Sequence, residues 1–161
     1  METAWESELA NFLSHLSAVQ EQTLETLVRK RDLLAKADTQ GLAALENEED
    51  QLVGRLQECL DQRQKLLDRA SQEGLPTTSI RSLAQALPAR QQDRLSDSLR
   101  EASHRARLLQ HHSLVNWVLV QKTLIHLSQL LEIIATGGRL QPTYQRDGAV
   151  QASGALVDRA A

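Results

Sequence analysis

Five histidines (His15, His104, His111, His112 and His126), one cysteine (Cys59), one tyrosine (Tyr144) and the acidic run "ENEED" at 46–50 are the groups in this 161-residue sequence from which chemistry could be built. A helix offers two histidines to one metal ion when they stand four residues apart, and no two of these do. His111 and His112 would point about 100° apart on a helix, and His104 and His111 would lie roughly 10 Å apart along it. The acidic run lacks the glycine turn and loop-borne ligands of a calcium site, so it reads as the solvated face of a helix. Cys59 falls on an apolar seam and reads as a small core residue rather than a nucleophile. No glycine-rich phosphate loop follows a strand. The sequence therefore predicts no catalytic residues, no metal site and no cofactor, and the chain does not read as an enzyme.

Composition says which elements carry these residues. Twenty-nine leucines stand against one Phe, one Tyr and two Trp, with only 7 Gly and 3 Pro. Strands favour β-branched and aromatic side chains, whereas Leu, Ala, Glu, Gln and Arg favour helix. The expected class is all-α. The net charge of −3 is spread as alternating signs, so no basic stripe exists to neutralise phosphates and no nucleic-acid partner is expected. A lone cysteine forms no internal disulfide, which suits a reducing compartment. "METAWESELA" is acidic and has no apolar signal core, and no run of roughly 18 residues is free of polar interruption. No membrane insertion is expected, and the cytoplasm is the expected address.

Periodicity places the elements. Leu9, Phe12, Leu16, Val19, Leu24, Leu27 and Leu34 recur mostly at three- and four-residue spacing and predict a first helix over 2–36. Thr3 is its expected N-cap, with Glu6 completing a capping box. Asp38 is the expected N-cap of a second helix over 39–72, whose seam runs Leu42, Leu45, Glu49, Leu52, Leu56, Cys59, Arg63, Leu66 and Ala70. Gly74 and Pro76 stop it. A short helix over 77–87 places Ile80, Leu83, Ala84 and Leu87 on one side, and Pro88 suits the start of the next helix. That last helix runs from Ala89 to about Ala135, with a seam of Leu95, Leu99, Ala102, Ala106, Leu109, Ser113, Asn116, Val120, Thr123, Leu127, Leu130 and Ile134. At 1.5 Å per residue it would measure roughly 70 Å, against roughly 50 Å for the first two. The expected architecture is an elongated antiparallel bundle, or coiled coil, of three long helices with one short extra helix, the longest overhanging its partners. Residues 1–136 form this domain, and 137–161 a mobile, flexible C-terminal tail.

The apolar surface widens along the last helix. Up to about residue 112 only the seam is apolar; beyond it Trp117, Leu124 and Leu131 fill one flank, and Leu119 and Ile133 the other. A stripe covering about half the circumference is more than a two-helix contact hides. Asn116 either fixes register inside the bundle or faces solvent at its end. Trp117 either anchors a partner or caps the internal core. After Gly137-Gly138 the tail keeps Leu140, Tyr144, Val150, Leu156 and Val157, and reads as a ligand for something else or as a remnant without a role. Three non-catalytic functions fit: a chaperone sheltering a client helix, a structural coiled-coil homodimer or adaptor, and a membrane-surface binder. For the last, Lys122 alone gives too few flanking cations.

Two long leucine-rich helices, a short helix after "GLPTTSI", a long final helix, the tail motif "PTYQRDG" and the ending "ALVDRAA" together resemble the FlgN family of flagellar export chaperones. The sharpest part is Tyr144 followed by Asp147-Gly148. Family members often carry paired asparagines in the last helix, where this chain has His111-His112 and then Asn116. The resemblance implies a cytosolic protein that binds the C-terminal helices of hook–filament junction proteins. It would prevent their premature association and deliver them to the type III export apparatus, without a cofactor. It implies that Tyr144, with Asp147 and Gly148, docks at the export gate, where a tyrosine kept off the core supplies contact area at low entropic cost. A client helix with its own apolar stripe would lie along Leu114, Trp117, Leu119, Val120, Leu124, Leu127 and Leu131.

Overall fold

A computed structural model of the chain describes residues 2–136. All regular structure among them is helical: α1 spans Glu2–Ala35, α2 Thr39–Gln72, α3 Ile80–Gln85 and α4 Ala89–Thr136. The described residues divide into two units, the first ending at Thr123 and the second beginning at Leu124. α1, α2 and α3 and the first 35 residues of α4 belong to the first unit.

Local capping sets the helix ends. α1 closes with Ala37 in the left-handed region, φ 53°; the Ala37 N–H donates to the Leu34 carbonyl and the Asp38 N–H to the Leu33 carbonyl. That paired return satisfies two of the last helical carbonyls. The Asp38 carboxylate then accepts from the Gly41 N–H and starts α2, as its sequence position predicts. The same motif ends α2: Gly74, φ 71°, donates to Ser71, and Leu75 donates to Ala70. α3 is shorter than the expected 77–87. Ser79 caps it by a reciprocal bond with Ser82, and the helix ends after a turn and a half at Gln85. Pro88 offers its carbonyl to the N–H groups of Gln91 and Gln92 and opens α4. One expectation fails: α1 begins at Glu2, which leaves Thr3 inside the helix rather than at its N-cap.

Side-chain bonds show how the first unit is threaded. Trp5 with Glu73, His15 with Gln62, Thr26 with Glu48 and Lys30 with Glu49 pair α1 with an antiparallel α2. Glu6 with Arg94, Ser17 and Glu21 with Arg105, and Leu27 with Asn116 pair α1 with a parallel α4. The order is up, down, up. The main core lies where α1 begins and α2 ends: Trp5, Leu9, Phe12, Leu13, Leu67 and Ala70 enclose Ile80, Leu83, Ala84 and Leu87 of the α3 region, with Leu95 and Ala102 of α4. Each large side chain fully buried here contributes about 1.5–3 kcal/mol of transfer free energy. Arg69 seals the edge, its guanidinium 3.8 Å above the Trp5 ring and paired with Glu8 and Glu73.

Farther along the bundle, burial thins. Val19, Leu45, Leu52 and Cys59 are buried, while Leu24, Leu27, Leu42 and Leu56 are only half-buried. Of the predicted α4 seam, Leu95, Ala102 and Asn116 are buried, Leu99, Leu109 and Val120 are half-buried, and Ala106 and Ser113 are exposed. The acidic run is not a purely outer face either. Glu48 and Glu49 reach across to Arg29 and Lys30 and tie α2 to α1.

Candidate functional site

The largest group of apolar side chains facing water lies on the C-terminal part of α4. In the first unit Leu114 and Trp117 are exposed, Trp117 by 60%, and Val118 less so; Leu119 and Val120 are half-buried. In the second unit Leu124, Ile125, Leu127, Leu130, Leu131, Ile133 and Ile134 are all exposed, Leu131 by 58% and Ile134 by 75%. Side chains three, four and seven apart on a helix share a face. Leu124, Leu127 and Leu131 therefore form one row, and Leu127, Leu130 and Ile134 an adjoining one. Lys122, Gln129 and Glu132 fall on the opposite side at 100° per residue.

The seven predicted client-contact residues thus fall into two groups, Leu114, Trp117, Leu124, Leu127 and Leu131 exposed, Leu119 and Val120 half-buried. The predicted docking residues Tyr144, Asp147 and Gly148 lie outside the described residues, as does the expected tail. Sequence reasoning assigned Leu130 and Ile134 to the internal seam, yet both face water. The expected overhang of the longest helix already carried that signal, with 48 residues in α4 against 34 in α1.

Asn116 resolves toward the interior. It is 5% exposed, and its Nδ2 donates to the Leu27 carbonyl at 2.9 Å. Its Oδ1 is buried with no hydrogen-bond partner. Gln20, also 5% exposed, repeats the arrangement: Nε2 donates to the Ala102 carbonyl at 3.1 Å while Oε1 is unpartnered. Each amide makes one bond and leaves one acceptor bare, which costs about 1–3 kcal/mol of desolvation.

The reactive groups are turned to structural use. Cys59 is buried, and burial pushes its thiol up from its ordinary value, with Arg55 pulling weakly the other way. Bonds from the Thr26 hydroxyl and the Arg29 guanidinium hold the Glu48 carboxyl below its ordinary value. The His111 and His112 rings meet edge to face at 5.6 Å. No three His, Cys, Asp or Glu side chains converge as metal ligands among the described residues.

An 18-residue window of α4 has a mean hydropathy of 1.3, and none of it is buried. By length and composition it could cross a membrane, where its polar interruptions had predicted no span. Its polar residues are gathered largely on one side, the pattern of a helix that meets an apolar partner along one face. The family model described as "FlgN protein" matches residues 1–152. No curated protein and no solved structure matches the chain.

Proposed function

The chain belongs to the FlgN family of flagellar export chaperones, and from that premise we propose that the apolar side of α4 receives the C-terminal helical region of hook–filament junction proteins. The protein holds that region in the cytoplasm, keeps it from associating prematurely and delivers it to the export apparatus. The observation that carries this reading is the uncovered row of Leu124, Leu127 and Leu131 with Leu130 and Ile134 beside it. Exposed apolar patches beyond a few hundred Å² are rare on soluble monomers and mark surfaces that meet a partner. An amphipathic client helix with apolar residues at i, i+3, i+4 and i+7 matches this row turn for turn. Trp117 is the expected anchor, since large, amphipathic aromatics dominate interface energy. No bond is made or broken in holding a helix, so the reading requires no catalytic group and no cofactor.

The two tryptophans make the test direct. Trp5 is 6% exposed and Trp117 60% exposed, so a collisional quencher reaches Trp117 alone. Adding a C-terminal fragment of a junction protein should protect that emission, and Trp117→Ala or Leu124→Asp should weaken binding at least about tenfold while far-UV helicity stays unchanged. Undiminished binding by both variants would remove α4 as the client surface. In the tail, Tyr144→Ala should leave fragment binding intact and lower secretion of the client. The second reading, a structural homodimer through the same face, predicts a concentration-independent dimer in light scattering with Trp117 already protected from quencher.

A further inference from the structure

We propose that the client helix lies in a trough between α2 and α4, end to end with α3, so that α2 supplies a second wall of the binding site. The occupant's identity rests on the functional reading above; the trough is read from the first unit alone. Ties between helices mark which flank of each faces which neighbour. On α2, Glu48, Arg55, Gln62 and Arg69 stand seven apart and bond α1 at Thr26, Gln22, His15 and Glu8. Five residues on from the first three, about 150° round the helix and past its core side, come Val53, Leu60 and Leu67. On α4, Arg105 bonds α1 at Ser17 and Glu21, while Ser103, on the other side of the core, accepts from Arg81 of α3. Gln110 and Trp117 continue the Ser103 column at the same spacing. The α3 region packs between these two outer flanks, against Leu67 of α2 and Leu95 and Ala102 of α4, and Cα atoms of α3 come within 8 Å of those of α1.

Beyond α3 both flanks are bare. Leu67 is 6% exposed, whereas Leu60 and Val53 are exposed by 57% and 65%; Ala106, Gln110 and Ser113 of α4 are exposed as well. α1 shows the same opening from below. Its column of Leu9, Leu16, Thr23 and Lys30 points between α2 and α4, the best-covered place in a closed three-helix bundle. Leu9 is fully buried beside the α3 region, but Leu16, Thr23 and Lys30 are only half-buried, although Val19, Gln20 and Thr26 on either side of them are buried. Side chains less covered than the neighbours on both sides form the floor of an open trough. From Leu16 to Lys30 it runs about 20 Å, close to four helical turns. The α3 region shows what this seam receives: Ile80, Leu83, Ala84 and Leu87 fill it at i, i+3, i+4 and i+7, all buried. A client helix with that stripe continues the filling where α3 stops. Trp117, the expected anchor, stands on the rim, so the trough adjoins the surface already proposed. Glu46 and Asp50 are exposed near Val53 on the α2 rim and suit a client bearing Lys or Arg beside its stripe.

Binding of a fluorescently labelled C-terminal helical fragment of a junction protein to the full chain, read by anisotropy, tests this. Val53→Asp and Leu60→Asp should each weaken binding at least about tenfold. Far-UV helicity and the urea midpoint should stay unchanged, because both side chains are exposed in the free protein; either variant serves if the other misfolds. Gln51→Asp, on the opposite side of α2, should bind like the parent. Undiminished binding by the folded α2 variants, or an equal loss with Gln51→Asp, would overturn the trough. Leu131→Asp assayed in parallel separates this from the functional reading. If it alone loses binding, the trough falls and the α4 face stands; if no variant loses binding, both fall.

Discussion

Trp5 and Trp117 show how one residue type serves two ends. Trp5 lies in the core, donates Nε1–H to Glu73 at 2.7 Å and carries Arg69 on its face; Trp117 is largely wet. Trp5→Ala should cost about 3–5 kcal/mol in urea unfolding, whereas Trp117→Ala should stay within about 0.5 kcal/mol. The contrast shows by one measurement which of the two tryptophans stabilises the fold. Glu48 gives a pH prediction. Its carboxyl is held below its ordinary value of 4.5 by Thr26 first and Arg29 second, so the folded state binds its proton less readily than the unfolded chain does. The stabilisation is present above the unfolded value and is lost as pH falls through the lower folded value. Glu48→Gln should flatten the acid limb of stability against pH and leave the neutral plateau nearly unchanged, because the pair is solvent-exposed and screened.

At the scale of elements, the two left-handed helix ends make a matched pair. Gly74 occupies its position at no steric cost, whereas Ala37 holds φ 53° with a Cβ in the way. Ala37→Gly should stabilise by about 0.5–1 kcal/mol, and Gly74→Ala should destabilise by about 1 kcal/mol or more, both read by chemical denaturation. The limits of α2 were legible in the sequence because Asp38 and Gly74 act through bonds to residues only a few positions away. The limits of α3 were less so: "TTSIRSLAQAL" has a helical apolar pattern throughout, but the Ser79–Ser82 reciprocal cap starts the helix late. Ala37 was illegible as a left-handed residue, since nothing in its type favours that conformation. Its geometry is imposed by the tight corner between two long helices.

Among the described residues, the buried core and the proposed client surface draw on different stretches of the chain. The main core is built from the start of α1, the end of α2, the α3 region and the beginning of α4, while most exposed large apolar residues lie late in α4. Leu131→Asp and Ile134→Asp should therefore leave the urea midpoint unchanged within about 0.5 kcal/mol and still weaken binding of a junction-protein fragment. A drop in stability comparable to that of Trp5→Ala would mean those side chains are covered in the free protein. Heptad spacing located this surface only in part. Periodicity records which side of a helix is apolar, and Leu127, Leu130 and Ile134 keep the same rhythm as Leu95 and Ala102; whether anything stands opposite depends on where another element stops. Asp38 sets where α1 ends and α2 begins, because its N–H closes α1 on Leu33 and its carboxylate opens α2 at Gly41. The corner is a phase setter with no slack: an extra residue there must either forfeit one of those two closures or be wound into α2. In the second case every α2 side chain rotates by about 100°, carrying Leu45, Leu52 and Cys59 out of step with α1.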